Sequence, residues 1–557
     1  MGVPLVLFAI ALGARVFTGG LFTDPAYPDS FYYVDVARQL AAGHGFTVDF
    51  IWNFVEVGGK LPAAAQAILP IPSDAHWMPL AAIVQVPFIW LLGPTALASA
   101  LPFWLCAAAA APLTWWIARD AGLPTWVAFG GALLVAVPGG VTPYLAQPDN
   151  FALFMVLGAL SLWACARGLR GDRRAFALGG IAVGLATLAR NDGVLLGVPF
   201  ALAFAADLLR RPRASRIGWI PAVACAVGFL IVVGPWFARQ LEVFGSLSPS
   251  AANGRILFIT DYRQLYSVSS ETTLSTFLAQ GIGPLLSSRV GGLVAALGIF
   301  VTMPLLGFLT PFTVIGAWVR RRDPTFVPWL VYAVTLFAFN ALVFAVHVPY
   351  GTFLHSAVAL LPHAYLVTLL GIGAAVAWVA RHRRSWNPER ATRVFTAMAI
   401  VVVAVGAIGA SLLTIRQWRA ERDLRVSVGA TLDTTPVTDR VMSPDAGGYS
   451  YIADRGGIVT PDDPLPVVEQ ALREYDVRWL VLERDHITAS LAPLLAGTQR
   501  PAWLSRPILT IPGAATPAGA SGQPPASSAG VADPGTTLPA ASVYAVCFDP
   551  GDTRCAP

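Results

Sequence analysis

Three carboxylates and three tyrosines crowd one polar stretch that follows directly on a hydrophobic run: Thr23-Asp24-Pro25-Ala26-Tyr27-Pro28-Asp29-Ser30-Phe31-Tyr32-Tyr33-Val34-Asp35. A carboxylate fixed at a membrane surface can take the proton from an attacking hydroxyl, which is general-base chemistry. Asp29 is the first candidate for that role and Asp24 its rival. The structural alternative is local. Pro28-Asp29-Ser30 reads as a helix start in which Asp29 or Ser30 accepts from orphan first-turn amides, and Asp35 pairs with Arg38 one turn on. Tyr33, Ala37, Leu40 and Ala41 recur at helical spacing, and Gly43 and Gly45 stop the helix.

Further chemistry-bearing residues sit at the ends of other apolar runs. Gln147-Pro148-Asp149-Asn150 opens the run Phe151–Ala166. Asp149 is either an N-cap, stabilising by about 1 kcal/mol, or one of the sparse membrane-edge acids that mark function. Arg190-Asn191-Asp192-Gly193 joins two apolar runs. As a tight turn it would use Asp192 as a cap and Gly193 for the bend; as a site, Arg190 would hold a phosphate. Tyr350, His355 and His363 lie in or beside a later loop. His355 at a helix start can donate to a phosphate, and His363, deeper in its run, reads as a satisfied packing residue. Asp462-Asp463 reads as turn-forming.

The elements that must position these residues are membrane helices. The chain has 557 residues, 55% hydrophobic and only 12% charged, with a mean hydropathy of +0.62. Soluble domains carry about 25% charged residues. The net charge of +5 does not indicate nucleic acid, because the basic residues are nearly all arginines in short loops between apolar runs, as orientation signals are. Lys60 is the single lysine, a composition that points to a GC-rich bacterial genome and hence a bacterial inner membrane. The first apolar run, Val3–Phe17, lacks a basic leader and reads as an uncleaved helix.

Four arginine clusters, around Arg167–Arg174, Arg210–Arg216, Arg320–Arg322 and Arg381–Arg390, are expected in the cytoplasm. That places Asp149, Arg190, the segment His347–His355 and everything after Thr414 outside. About eleven crossings are expected, with up to two more, by the length needed to span a bilayer. One of the three runs between Leu80 and Val137 must fail to cross, and Val290–Val319 is too long for one simple span. The expected architecture is an all-α polytopic bundle over 1–414, with a first outer loop at 19–77. A small extracytoplasmic α/β domain follows over 415–557. Its short strands lie at Arg440-Val441-Met442, Gly457-Ile458-Val459 and Val477–Leu482, with an amphipathic helix at Leu465–Tyr475. A Pro/Gly/Ala/Ser tract, 512–541, is expected to be disordered. Cys547 and Cys555 are expected to pair if exported. No CxxC or HExxH spacing occurs, so neither a metal nor another cofactor is expected.

The stretch Asp29-Ser30-Phe31-Tyr32-Tyr33, followed by Ala37-Arg38-Gln39-Leu40-Ala41-Ala42-Gly43, resembles the first outer loop of the GT-C glycosyltransferases. It is most similar to the branch of protein O-mannosyltransferases and lipid A aminoarabinose transferases. Ser30 stands where a second acid is common in that family. The resemblance implies transfer of a hexosyl or pentosyl unit from a polyprenyl-phosphate donor to a lipid, polysaccharide or protein. It implies Asp29 as base and Asp149 as the second acid at a membrane-helix start. The stretch Gly184–Gly193 resembles a turn frequent in the family, and Asp74-Ala75-His76-Trp77 occupies the place of a His-Pro-Pro or Lys-Pro-Pro motif, with Met78 replacing the first proline. Tyr33, His76, Arg190, Asp192, Tyr350 and His355 are then candidates for binding the donor's phosphate or sugar. The competing class is a transporter or flippase of lipid-linked sugars. It is disfavoured because the ionisable residues sit at outer helix ends rather than at mid-membrane.

Overall fold

The computed structural model describes residues 2–61, 67–209, 217–246, 253–383, 387–513, 538–549 and 552–555. The chain falls into two compact units. One gathers 1–24, 77–249 and 286–415; the other gathers 25–76, 250–285 and 416–557. The expected division kept the first loop with the membrane part. In the structure most of that loop is grouped with the C-terminal segment.

The first unit is helical. Among the described residues, eight helices of the chain are long and apolar enough to cross a membrane, or nine if the bent pair Thr125–Ala136 and Gly139–Ala146 is one span. The expected eleven counted apolar runs, and several runs yield shorter helices. Leu80–Leu92 and Val327–Leu342 fall below 18 residues. The run Val290–Val319 divides into the helices Ile282–Thr302 and Thr310–Arg320, separated by Leu306 and Gly307 at φ 51° and 66°. These left-handed residues cannot continue a helix.

With lipid on the outside, these helices must be held by close packing and internal hydrogen bonds rather than by a hydrophobic drive between them. Helices Thr310–Arg320 and Leu361–His382 meet backbone to backbone. A Cβ on Gly316 would lie 1.9 Å from the carbonyl oxygen of Val367, and one on Gly371 1.9 Å from that of Phe312. Beside this contact the hydroxyls of Thr313 and Thr368 are 2.7 Å apart. Arg15, buried in the first helix, donates to the carbonyls of Thr142 (2.7 Å) and Ala136. The bend after Ala136 leaves carbonyls without helical partners, and the guanidinium satisfies two of them.

The second unit is built on a six-stranded sheet in the order Phe50–Ile51, Gly457–Val459, Arg440–Ser443, Val477–Glu483, Ala541–Ala545, Leu509–Ile511. The first four strands are parallel and the last two antiparallel. Helices Ala446–Ala453 and Leu465–Glu474 make the crossovers that parallel neighbours require. Leu465–Glu474 buries Val468, Ala471 and Leu472 in a core shared with Ile458, Leu480 and Tyr544. Asp463 exceeds the turn-forming role read from its sequence. Its carboxylate accepts from the hydroxyls of Ser267 (2.7 Å) and Ser269 and from the amides of Val268 (2.6 Å) and Ser269 (3.2 Å). Cys547 and Cys555 are joined by a disulfide. Most of the Pro/Gly/Ala/Ser tract, 514–537, lies outside the described residues, as does the arginine cluster 210–216.

Candidate active site

In the first unit, three of the singled-out polar positions come together around one short helix, Thr352–Ala357. Asp149 ends the bent segment that precedes the helix Phe151–Leu169. Its carboxylate takes the amide of the next residue, Asn150, at 2.5 Å, and the helix start has no side-chain cap. Asp149 thus meets the start of the helix through the amide of Asn150. Asp149 is fully buried, and its Oδ2 lies 3.8 Å from Nδ1 of His355, beyond direct hydrogen-bond range. Asn150 fills the gap with its Oδ1 3.2 Å from the same ring nitrogen. The imidazole stacks on Phe151, with ring centroids 3.9 Å apart.

Arg190 leaves the helix Arg173–Ala189 in an extended conformation, φ −151° and ψ 139°. Its Nε bonds Oδ1 of Asp192 at 3.0 Å and its Nη2 the carbonyl of Thr352 at 3.3 Å. The second oxygen of Asp192 accepts from the hydroxyl of Ser356. Asp192 is thus the anchor of a guanidinium, and neither following helix start uses its side chain as a cap. The turn can fold back so tightly because residue 193 is glycine. A Cβ there would stand 2.4 Å from the carbonyl oxygen of Ala186. Tyr350 closes a one-turn segment, Val348–Tyr350, just ahead of Thr352–Ala357. Asp24 stands in the bend three residues after the first helix ends at Leu21. His363 departs from its reading as a satisfied residue: it is fully buried, and among the described residues neither ring nitrogen has a hydrogen-bond partner.

Asp29, Tyr33 and His76 belong to the second unit. Asp29 lies in the first turn of the helix Pro28–Ala41. The hydrogen bonds that shape this helix start are made by Ser30, whose hydroxyl accepts from the amides of Ala26 (2.9 Å) and Tyr27 (3.0 Å) and donates to the carbonyl of Tyr27 (2.7 Å). Asp35 does not simply face Arg38; its Oδ2 accepts from the amide of Asp49 at 2.9 Å. Tyr33 is buried and packs edge-on against Tyr32 at 6.3 Å, a supporting position. His76 packs on Trp52 at 5.5 Å.

Below this helix lies a buried acid pair. The Tyr32 hydroxyl donates to Oε1 of Glu56 at 2.6 Å and accepts from the amide of Asp74 at 2.6 Å. Burial pushes the Glu56 carboxyl up to about 8, against a smaller downward pull from Tyr32. The residues missed by sequence reasoning are the partners: Asn150, Ser356 and Thr352. Asn150 and Ser356 are sequence neighbours of residues that were singled out, which is the only signal they carried.

Helices from separate stretches thus bring an acid, an imidazole and an anchored guanidinium together, on a polytopic helical fold like those of solved GT-C glycosyltransferases. Residues 76–237 match the family model for dolichyl-phosphate-mannose-protein mannosyltransferase. Among solved structures the chain is similar to ArnT from Cupriavidus metallidurans bound to undecaprenyl phosphate. The identity is 14%, 89% of this chain and 95% of that chain are covered, and the TM-score is 0.50. The apo state of the same ArnT gives 14% identity, coverages of 88% and 94% and a TM-score of 0.51. The apo oligosaccharyltransferase of Archaeoglobus fulgidus gives 12% identity, coverages of 86% and 69% and a TM-score of 0.46. No curated protein matches the sequence significantly.

Proposed function

We propose that this chain is an integral-membrane glycosyltransferase that moves one hexosyl or pentosyl unit from a polyprenyl-phosphate donor to an acceptor hydroxyl. The observation that carries the reading is Arg190, fixed by Asp192 and Thr352 beside the helix that bears His355. An anchored guanidinium is suited to a departing phosphate, which needs positive charge and donors more than it needs a strong acid. The binding of undecaprenyl phosphate by ArnT, whose fold this chain shares, agrees with such a donor.

In the reaction proposed, the Asp29 carboxylate takes the proton of the acceptor hydroxyl. The oxygen attacks the anomeric carbon, and the carbon–oxygen bond to phosphate breaks with its electron pair leaving on the phosphate. A single displacement inverts the anomeric configuration. Asp149 acts as the second acid beside Asn150, whose amide oxygen orients the His355 imidazole for the donor; His76 and Tyr350 serve donor binding. The site faces the outer side of a bacterial inner membrane in this reading. The shorter apolar helices bring the crossings to about eleven, and the disulfide between Cys547 and Cys555 agrees with an exported C-terminal domain.

The test is donor binding. Undecaprenyl phosphate added to the purified full chain should raise its melting temperature, and Arg190→Ala should abolish the shift measured against that variant's own ligand-free melting curve. No stabilisation of the wild type would remove the polyprenyl-phosphate reading.

A further inference from the structure

The helix that opens with Asp29 does not end its useful surface there. Asp35, Arg38 and Gln39 recur on one face of Pro28–Ala41 and look across a cleft at Ser450, Tyr451 and Asp454 of the helix Ala446–Ala453 and its C-cap. The cleft encloses about 230 Å³ and also takes in Asp49 and His44. Two packed helices ordinarily present apolar side chains to each other. Here both present carboxylates, an amide and a hydroxyl, and the arrangement is costly: burial next to Asp49 pushes the Asp35 carboxyl up to about 7. Polar surface kept at such expense, in a cavity, is characteristic of binding sites.

We propose that this cleft is a saccharide subsite that holds one sugar ring of the acceptor. Three aspects of its lining fit that ligand. The polar groups form a relay of fixed planar donors and acceptors: Gln39 Nε2 donates to Asp49 Oδ2 at 2.5 Å, and its Oε1 meets His44 Nδ1 at 2.7 Å. Such groups match vicinal hydroxyls, each both donor and acceptor. An aromatic wall stands beside them, with Tyr451 and Phe31 at a 5.7 Å ring separation and the Arg38 guanidinium 4.8 Å over the Tyr451 ring. Finally, the charges nearly balance. The carboxylates of Asp49 and Asp454 are set against the guanidinium groups of Arg38 and Arg455, so the lining suits a neutral polyhydroxy ligand better than an ion.

The position fits an acceptor. Asp35, Arg38 and Gln39 lie six to ten residues beyond Asp29 on one helix, about 9–15 Å along its axis. A glycan seated in the cleft would extend along the helix toward the base. The proposal rests on the glycosyltransferase reading and narrows the acceptor to a glycan or glycolipid.

Binding can be measured apart from transfer. Methyl glycosides of mannose, glucose, galactose and arabinose are titrated into the purified full chain by saturation-transfer NMR, with Ca²⁺ alone as the ion control. At least one glycoside should bind saturably, and Gln39→Ala and Asp35→Asn should each weaken it about tenfold, the effect of one lost polar contact to a charged group, with unchanged melting curves. Tyr451→Leu should weaken it independently of the carboxylates. Absence of saturable binding by all four glycosides overturns the subsite, as does binding that both polar variants leave intact, or a cleft that takes only Ca²⁺. If polyprenyl phosphate stabilises the chain but no glycoside binds, the subsite alone falls. If glycosides bind but polyprenyl phosphate does not, the donor reading falls and a sugar-binding cleft stands.

Discussion

Nε of Arg190 and Oδ1 of Asp192 are 3.0 Å apart in a turn where both side chains are largely buried, and Ser356 holds the other carboxylate oxygen. The carboxylate therefore points the guanidinium instead of neutralising a loose surface charge. Arg190→Lys keeps the charge and loses the planar fork. Transfer from a polyprenyl-phosphate sugar should fall by about 10- to 100-fold, the range for one or two charge-assisted bonds. Ser356→Ala should cost much less, because Arg190 keeps its bond to Asp192. Equal turnover by Arg190→Lys and wild type would take Arg190 out of donor handling.

Glu56 gives the second unit a pH dependence of definite sign. Its carboxyl has a value of about 8 in the fold against 4.5 for the unperturbed group. Between those values the folded protein holds a proton that the unfolded chain has released. The stability contribution is complete below 4.5 and is lost as the pH rises through 8. Glu56→Gln stays neutral throughout. Wild type and Glu56→Gln should melt alike near pH 4, and the variant should be the more stable at pH 9. Proteolysis-monitored melting of the full chain reads this directly; identical curves at both pH values would show Glu56 ionised in the fold.

The disulfide between Cys547 and Cys555 closes an eight-residue separation. Loop-closure entropy assigns a ring of that size about 2–3 kcal/mol. Cys555→Ser should destabilise the second unit by that order, read as a lower denaturation midpoint. Both thiols of the non-reduced, denatured wild type should resist alkylation. Labelling of both would refute the bond and leave the enzymatic reading untouched.

What the sequence disclosed follows from the range of the interactions. The helix Leu465–Glu474 and the strand Val477–Glu483 announce themselves by local periodicity. The strand Phe50–Ile51 has two residues and pairs with Gly457–Ile458, so nothing nearby marks it, and the grouping of the first loop with the C-terminal segment went unseen. Arg15 lies within an apolar run, and its partners are backbone carbonyls, which no side-chain pattern encodes. Asp149, Arg190, Asp192 and His355 could be picked out by type and by their place at helix ends. Their connections through Asn150, Ser356 and Thr352 depend on how helices pack, which one sequence does not reveal. Helix boundaries were hidden for the same reason: hydropathy finds runs, whereas breaks such as Leu306-Gly307 decide how many helices a run yields.

The decisive residue is Asp29. Asn caps a helix about as well as Asp, so Asp29→Asn should leave the helix Pro28–Ala41 and the fold intact. In the proposed reaction Asp29 takes the acceptor's proton, a role worth about 10²–10⁴-fold in rate, and an amide cannot perform it. Transfer from a polyprenyl-phosphate sugar should drop by that factor, with binding of undecaprenyl phosphate retained because the proposed reaction assigns the donor's phosphate to Arg190. Asp24→Asn should cost far less, since Asp24 lies in the bend after the first membrane helix and off the helix Pro28–Ala41. A merely structural Asp29 predicts a different profile, in which Asn is tolerated and Ala lowers the melting temperature. Near-normal turnover in Asp29→Asn would therefore remove it as the base, and the same pair of assays on Asp24→Asn and Asp149→Asn would identify which acid takes the proton.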